Sequence, residues 1–106
     1  MERTKNAIHD LAKKYFKDVV ATRRHLHMHP ELSFEEKETS AYVAGLLDKW
    51  GIPYKAGVGG YGIVAEIQGA QSTGKVTALR ADMDALPITE ANTVNYKSKN
   101  LSLIHI

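Results

Sequence analysis

The period of the apolar residues changes once along this chain, at Pro53, and that change restricts it to folds that join helices to a sheet. Before Pro53, Ile8, Leu11, Ala12, Tyr15, Val19 and Leu26 recur at three- and four-residue steps. That spacing predicts one helix from about Lys5 to His29. Pro30 ends it, because proline cannot donate to the helix ladder and restricts the residue before it. A second helix is predicted after Pro30. Ser33 stands as its N-cap, and Glu36 completes a capping box. Tyr42, Val43, Leu46, Leu47 and Trp50 line one face, Gly51 falls at the left-handed closing position, and Pro53 stops the chain.

Beyond Pro53 the period becomes two. Ile63, Ala65 and Ile67 alternate with Val64, Glu66 and Gln68, which predicts a strand. Lys75 to Ala81 reads as a second strand, and the polar loop from Gly69 to Gly74 predicts an antiparallel hairpin between the two. Tyr54 to Val58 reads as a third, shorter strand joined through a turn at Gly59-Gly60. The stretch from Thr89 to Asn100 is polar and reads as loop, with Val94 and Tyr96 as candidates for an edge strand. Helices followed by strands give an α/β class: two N-terminal helices, then a two- to three-stranded sheet including an antiparallel hairpin.

Composition narrows the functional classes. The 106 residues suffice for one small domain. A net charge of +2, scattered along the chain, does not argue for nucleic acid. No apolar run approaches the ~18 residues of a membrane span. Met1-Glu2-Arg3-Thr4-Lys5 runs straight into the amphipathic pattern, without the apolar stretch of a signal peptide. Cysteine is absent, so neither disulfides nor thiolate ligands arise within this stretch. The expected compartment is cytoplasmic.

Three constellations could carry chemistry. Asp82-Met83-Asp84 follows the predicted strand directly, where functional loops of α/β sheets gather. Its carboxylates could bind a cation, orient a metal-binding histidine, or simply accept backbone amides in a turn. His25, His27 and His29 alternate. On a helix only His25 and His29 share a face, and no local carboxylate or cysteine completes a tetrahedral set. The triplet therefore reads as a helix terminus whose imidazoles face water and the last carbonyls. The glycines from Gly57 to Gly62 precede a strand rather than a helix and lack a following Gly-Lys-Ser/Thr, so they read as a turn and not a phosphate loop. No Gly-x-Ser-x-Gly element occurs. The residues alone thus reach an α/β piece with an acidic strand-end loop, and no reaction.

Two longer motifs carry a resemblance. Arg23-Arg24-His25-Leu26-His27-Met28-His29-Pro30-Glu31-Leu32-Ser33-Phe34-Glu35-Glu36, with Thr39 beyond it, resembles the opening motif of N-acyl-amino-acid amidohydrolases. Ala78-Leu79-Arg80-Ala81-Asp82-Met83-Asp84-Ala85-Leu86-Pro87-Ile88 resembles their strand-to-loop signature, and Gly62 to Ile67 their central strand. That group includes hippurate hydrolases and indole-acetyl-amino-acid hydrolases, within the aminoacylase/carboxypeptidase metallopeptidase family. The resemblance implies a zinc-peptidase-like catalytic domain with two divalent metal ions, zinc or manganese, and a smaller inserted domain that mediates homodimer formation. The implied substrate is a small N-acyl amino acid whose amide bond is hydrolysed. It matches Asp84 to an aspartate that holds a metal-ligating histidine, and it makes Asp82 no ligand.

The family pattern continues past Asn100 into a ligand-bearing segment, whereas here Leu101-Ser102-Leu103-Ile104-His105-Ile106 follows. Residues 1–100 are therefore expected to be part of a metallo-amidohydrolase catalytic domain, and 101–106 a non-family tail arising by truncation. No metal or other cofactor is expected in this piece, His105 is not expected to substitute as a ligand, and the piece itself is expected to be inactive. The competing expectation is a stand-alone α/β binding module without catalysis.

Overall fold

Both helix-period stretches form helices. The structure, a computed structural model, describes residues 1–100 together with 103 and 104. Helix α1 runs Glu2–Met28, helix α2 Lys37–Lys49, strand β1 Tyr54–Val58 and strand β2 Gly62–Ala65. At 1.5 Å per residue α1 is a rod of about 40 Å, which accounts for most of the 46 Å long dimension. Residues 1–19 are exposed throughout, so α1 packs only through its last turns. The radius of gyration is 16.4 Å, against about 13 Å for a compact chain of this length. Pro30 ends α1 as its chemistry requires, and the His29 amide closes the helix on the carbonyls of His25 and Leu26 at 3.2 and 3.3 Å.

The start of α2 differs from the predicted capping box. Phe34 adopts φ 65, left-handed backbone that cannot begin a helix, so the helix starts three residues later than a Ser33 cap would place it. Glu31 supplies the cap instead. Its Oε2 accepts the Glu38 amide at 3.1 Å, and its Oε1 accepts both the amide and the hydroxyl of Thr39, at 2.5 and 2.6 Å. A carboxylate there satisfies orphan amides and meets the positive end of the helix dipole. The other end of α2 closes as predicted. Gly51 takes φ 66, its amide reaches Asp48 O, and the Ile52 amide reaches Leu47 O at 2.9 Å.

The strand read at Tyr54 to Val58 and joined through Gly59-Gly60 forms the hairpin, whereas the one predicted across Gly69 to Gly74 does not. β1 pairs antiparallel with β2, in the register Tyr54↔Ala65, Lys55↔Val64 and Val58↔Gly62. The turn at Gly59-Gly60 closes it, with Gly60 at φ 114. Residues 75–81 form no strand, and β2 stops at Ala65 instead of running to Ile67. A two-glycine turn closes a short loop at less entropic cost than the polar loop from Gly69 to Gly74. Val76 and Leu79 are 94% and 97% exposed, so neither face of their segment is covered. The expected edge strand at Val94 and Tyr96 is likewise loop. Strand β1 is tied to α2 by the Tyr54 hydroxyl, which donates to Asp48 Oδ2 at 3.0 Å.

Residues 85–100 run back over the junction of the two helices, as their bonds to Glu31 and Met28 show. Ala85 bridges to Leu32 in parallel, and its amide donates to Glu31 O at 2.7 Å. Leu86 and Ile104 exchange antiparallel amide bonds at 2.9 and 3.0 Å, and the Lys99 amide donates to Met28 O at 2.9 Å. The large apolar side chains on α1, among them Leu11, Tyr15 and Val19, remain exposed. Trp50 is read on the apolar face of α2 with Tyr42, Val43, Leu46 and Leu47. It sits half-exposed in a shallow groove with Tyr15, Val19 and Leu26. Ala85, Leu103 and Pro30 are the buried apolar residues among the described residues.

Replacing the Glu31 cap should destabilise the fold measurably. Glu31→Ala is expected to cost about 1 kcal/mol in urea denaturation, whereas Ser33→Ala should change stability by less than about 0.5 kcal/mol. Burial raises the Glu31 carboxyl, but the bonds from Thr39 and Glu38 outweigh it and leave it below its ordinary range. The contribution of Glu31 is therefore full above the ordinary carboxylate range and fades as pH falls through the lowered folded value. A Glu31→Ala penalty that persisted unchanged at strongly acidic pH would contradict this assignment.

Candidate functional site

The acidic strand-end loop sits on a backbone that is fixed from two sides. Ala85 is held by Glu31 O and Leu86 by Ile104, so the chain just after Asp84 cannot swing freely. Asp84 is exposed and lines a shallow pocket of about 320 Å³ with Ser33, Phe34, Glu36, Tyr61 and Arg80. Asp82 is engaged elsewhere: the Arg80 guanidinium reaches its Oδ1 at 3.0 and 3.1 Å, both side chains being exposed. The two carboxylates thus differ in surroundings: Asp82 carries the exposed ion pair to Arg80, and both line the pocket.

The histidine triplet divides as helical geometry requires. His25 and His29 share a face, their ring centres 4.7 Å apart, and His25 stacks on Tyr42 of α2 at 3.8 Å with planes 12° apart. Burial, with His29 and Lys99 nearby, holds His25 below the ordinary imidazole range. His27 does not face water as the terminus reading expected. It is buried, and its Nε2–H donates to Glu90 Oε1 at 2.8 Å.

Glu90 is the residue that sequence reasoning missed. It is 2% exposed and lies in the stretch read as polar loop. Its Oε2 accepts the Ser98 amide at 2.7 Å, and its Oε1 also takes the Asn92 side-chain amide at 3.3 Å. A carboxylate offers several acceptor sites and no donor, so one buried glutamate can organise three donors from separated parts of the chain. Those bonds, that from Ser98 first and that from His27 next, hold the Glu90 carboxyl below its ordinary range. Tyr96 meets the His27 ring edge-on at 5.8 Å, and the Arg24 guanidinium covers Tyr96 at 4.5 Å from its ring centre. No periodicity marks Glu90, and its partner is 63 residues away. Only the alternation His25-x-His27, which must send one ring to the opposite face, hinted that His27 needed a partner.

No group of three or more His, Cys, Asp or Glu side chains among the described residues could hold a metal ion. The described residues therefore do not fit a two-metal centre. Residues 101, 102, 105 and 106, including His105, lie outside the described residues.

No family model matches the chain. Curated relatives do. The chain is 44% identical over 102 residues to an N-acyl-L-amino acid amidohydrolase of Geobacillus stearothermophilus, covering 96% of this chain and 27% of that protein. It is 44% identical over 89 residues to an N-acetyl-L-cysteine deacetylase of Bacillus subtilis, covering 84% of this chain and 21% of the relative. Among solved structures, a Bacillus subtilis protein described as a dinuclear metal-binding peptidase of the M20 family superimposes with a TM-score of 0.80 at 37% identity, over 88% of this chain and 26% of that one. A Staphylococcus aureus structure gives a TM-score of 0.77, also at 37% identity, over 91% of this chain and 25% of that one. The chain thus spans about a quarter of the length of the proteins it matches.

The Glu90 carboxylate should control how firmly residues 96–100 are held. In Glu90→Ala the Ser98 amide is expected to exchange with deuterium at least about tenfold faster, while amides in the middle of α2 keep their rates. Because the Glu90 carboxyl is lowered, the same protection in the unaltered chain should be present at neutral pH and lost as pH falls through that lowered value. Unchanged Ser98 exchange in the variant would show that the carboxylate does not hold the segment.

Proposed function

From the premise that this chain belongs to the M20 family of amidohydrolases and peptidases, we propose that it is a segment of a metal-dependent amidohydrolase that cleaves the amide bond of N-acyl amino acids. The observation that carries this reading is the match, across nearly the whole chain, to a relative named for that substrate class. The strand-end loop adds a local reason. A carboxylate on a fixed backbone at the rim of a pocket is suited to accept a hydrogen bond from a ring N–H. In this reading Asp84 is a positioning residue that holds a metal-ligating histidine supplied from outside the described residues.

Two divalent ions, zinc or manganese, belong to the full-length protein, with ligands drawn from beyond the residues described here. The reading also includes a cytoplasmic setting, homodimer formation by the full-length protein, and inactivity of the 106-residue piece. Support for the last is that the described residues hold no group of three or more His, Cys, Asp or Glu side chains able to bind a metal ion.

Two measurements check the proposal. The 106-residue chain, supplied with zinc or manganese, is expected to release no amino acid from N-acetyl or N-benzoyl amino acids; multiple turnovers would place a complete centre within it. In a full-length protein carrying this segment, Asp84→Asn should lower kcat by about 10- to 100-fold, with an unchanged melting temperature. Near-normal turnover in that variant would remove Asp84 from its role.

A further inference from the structure

The sequence set aside all three alternating histidines, and the structure returns two of them. We propose that His25 and His29 form a two-imidazole site for a borderline divalent cation such as copper, nickel or zinc, completed by water. Their i, i+4 spacing places both rings on one side of the end of α1, the spacing by which paired histidines on a helix hold zinc in H-E-x-x-H motifs.

The separation of the rings fits one shared cation. A metal bound at about 2.1 Å through one imidazole nitrogen lies about 3.2 Å from that ring's centre. Two rings on one metal then have centres about 4.5 Å apart in a right-angled arrangement and about 5.2 Å apart in a tetrahedral one. The observed 4.7 Å falls between these values.

Three further observations support the site. Stacking on Tyr42, with ring centres 3.8 Å apart, fixes the plane of His25. Neither ring takes part in a hydrogen bond or ion pair among the described residues, whereas His27 is fully engaged by Glu90. Both rings open into a pocket of about 720 Å³, wide enough for the waters that would complete the coordination. Glu31 and Glu38 line the same pocket; the Glu31 carboxylate is occupied by α2, and that of Glu38 adds negative charge. Lys99 is the opposing group, an exposed ammonium beside His25. Imidazole pairs of this kind favour copper over nickel and zinc and have little affinity for magnesium.

The site is tested by calorimetric titration of the whole 106-residue chain with copper(II), zinc and magnesium chlorides near neutral pH. One equivalent of copper should bind, zinc more weakly, and magnesium not at all. His29→Gln, a change at an exposed position, should weaken copper binding at least about tenfold, with the helical circular dichroism retained. His9→Gln and His105→Gln should bind as the unaltered chain does. Lys99→Gln should bind copper more tightly, because a repelling charge is gone; weaker binding would instead mark Lys99 as part of an anion site and overturn the proposal. Binding that survives His29→Gln, or that is lost with His9 or His105, would also overturn it. Electron paramagnetic resonance of the copper form should show two imidazole nitrogens, and a single nitrogen would refute the pairing without reference to any variant.

Discussion

Glu31 engages three parts of the molecule at once. Its carboxylate takes the first free amides of α2, at Glu38 and Thr39. Its carbonyl takes the amide of Ala85. Its own position is set by Pro30, which has just ended α1. The angle between the helices, the start of α2 and the placement of the loop that carries Asp84 all pass through this one residue. Bonds to an ionised acceptor are stronger than neutral ones, which matters in a piece with so little buried apolar surface. Where hydrophobic burial is scarce, polar pairings carry a larger share of the work of fixing the geometry.

Glu90 repeats the device at His27 of α1. It joins His27 to Ser98 as Glu31 joins α2 to Ala85. Residues 85–100 contain no helix or strand, yet they are held at Ala85 by the Glu31 carbonyl and at Ser98 by the Glu90 carboxylate, and between them Tyr96 packs on His27 under Arg24. An irregular stretch of this kind must hold its shape without the support of a ladder of backbone bonds, and these side-chain and carbonyl contacts supply that support.

The helices were legible because each has many residues at one period and a proline to end it, and Gly51 closed α2 where a left-handed residue was expected. The start of α2 was not legible. Ser33 and Glu36 have the right types and spacing for a capping box, but Phe34 between them is left-handed, and the cap comes from a glutamate five residues before Glu36. The strand period at 75–81 is real in the sequence. A strand with apolar residues at Val76 and Leu79, one on each face, needs neighbours on both sides, and none of the described residues supplies them. At the site, the division of the histidines followed from helix geometry, whereas Glu90 depended on a pairing across 63 residues that no local pattern announces. The family was the most legible feature, since two long motifs survive even when the partners that explain them are elsewhere.

Trp50 gives the bare side of α1 an optical reporter. It is the single tryptophan in the chain, and it lies half-exposed against Tyr15 and Val19 on the uncovered apolar stripe. Water around the indole ring should give red-shifted emission open to collisional quenchers. Anything that covers this face, such as the remainder of a full-length domain, would dry the ring and move its emission to the blue. The same residue would thus register, through its fluorescence, the covering of this face of α1.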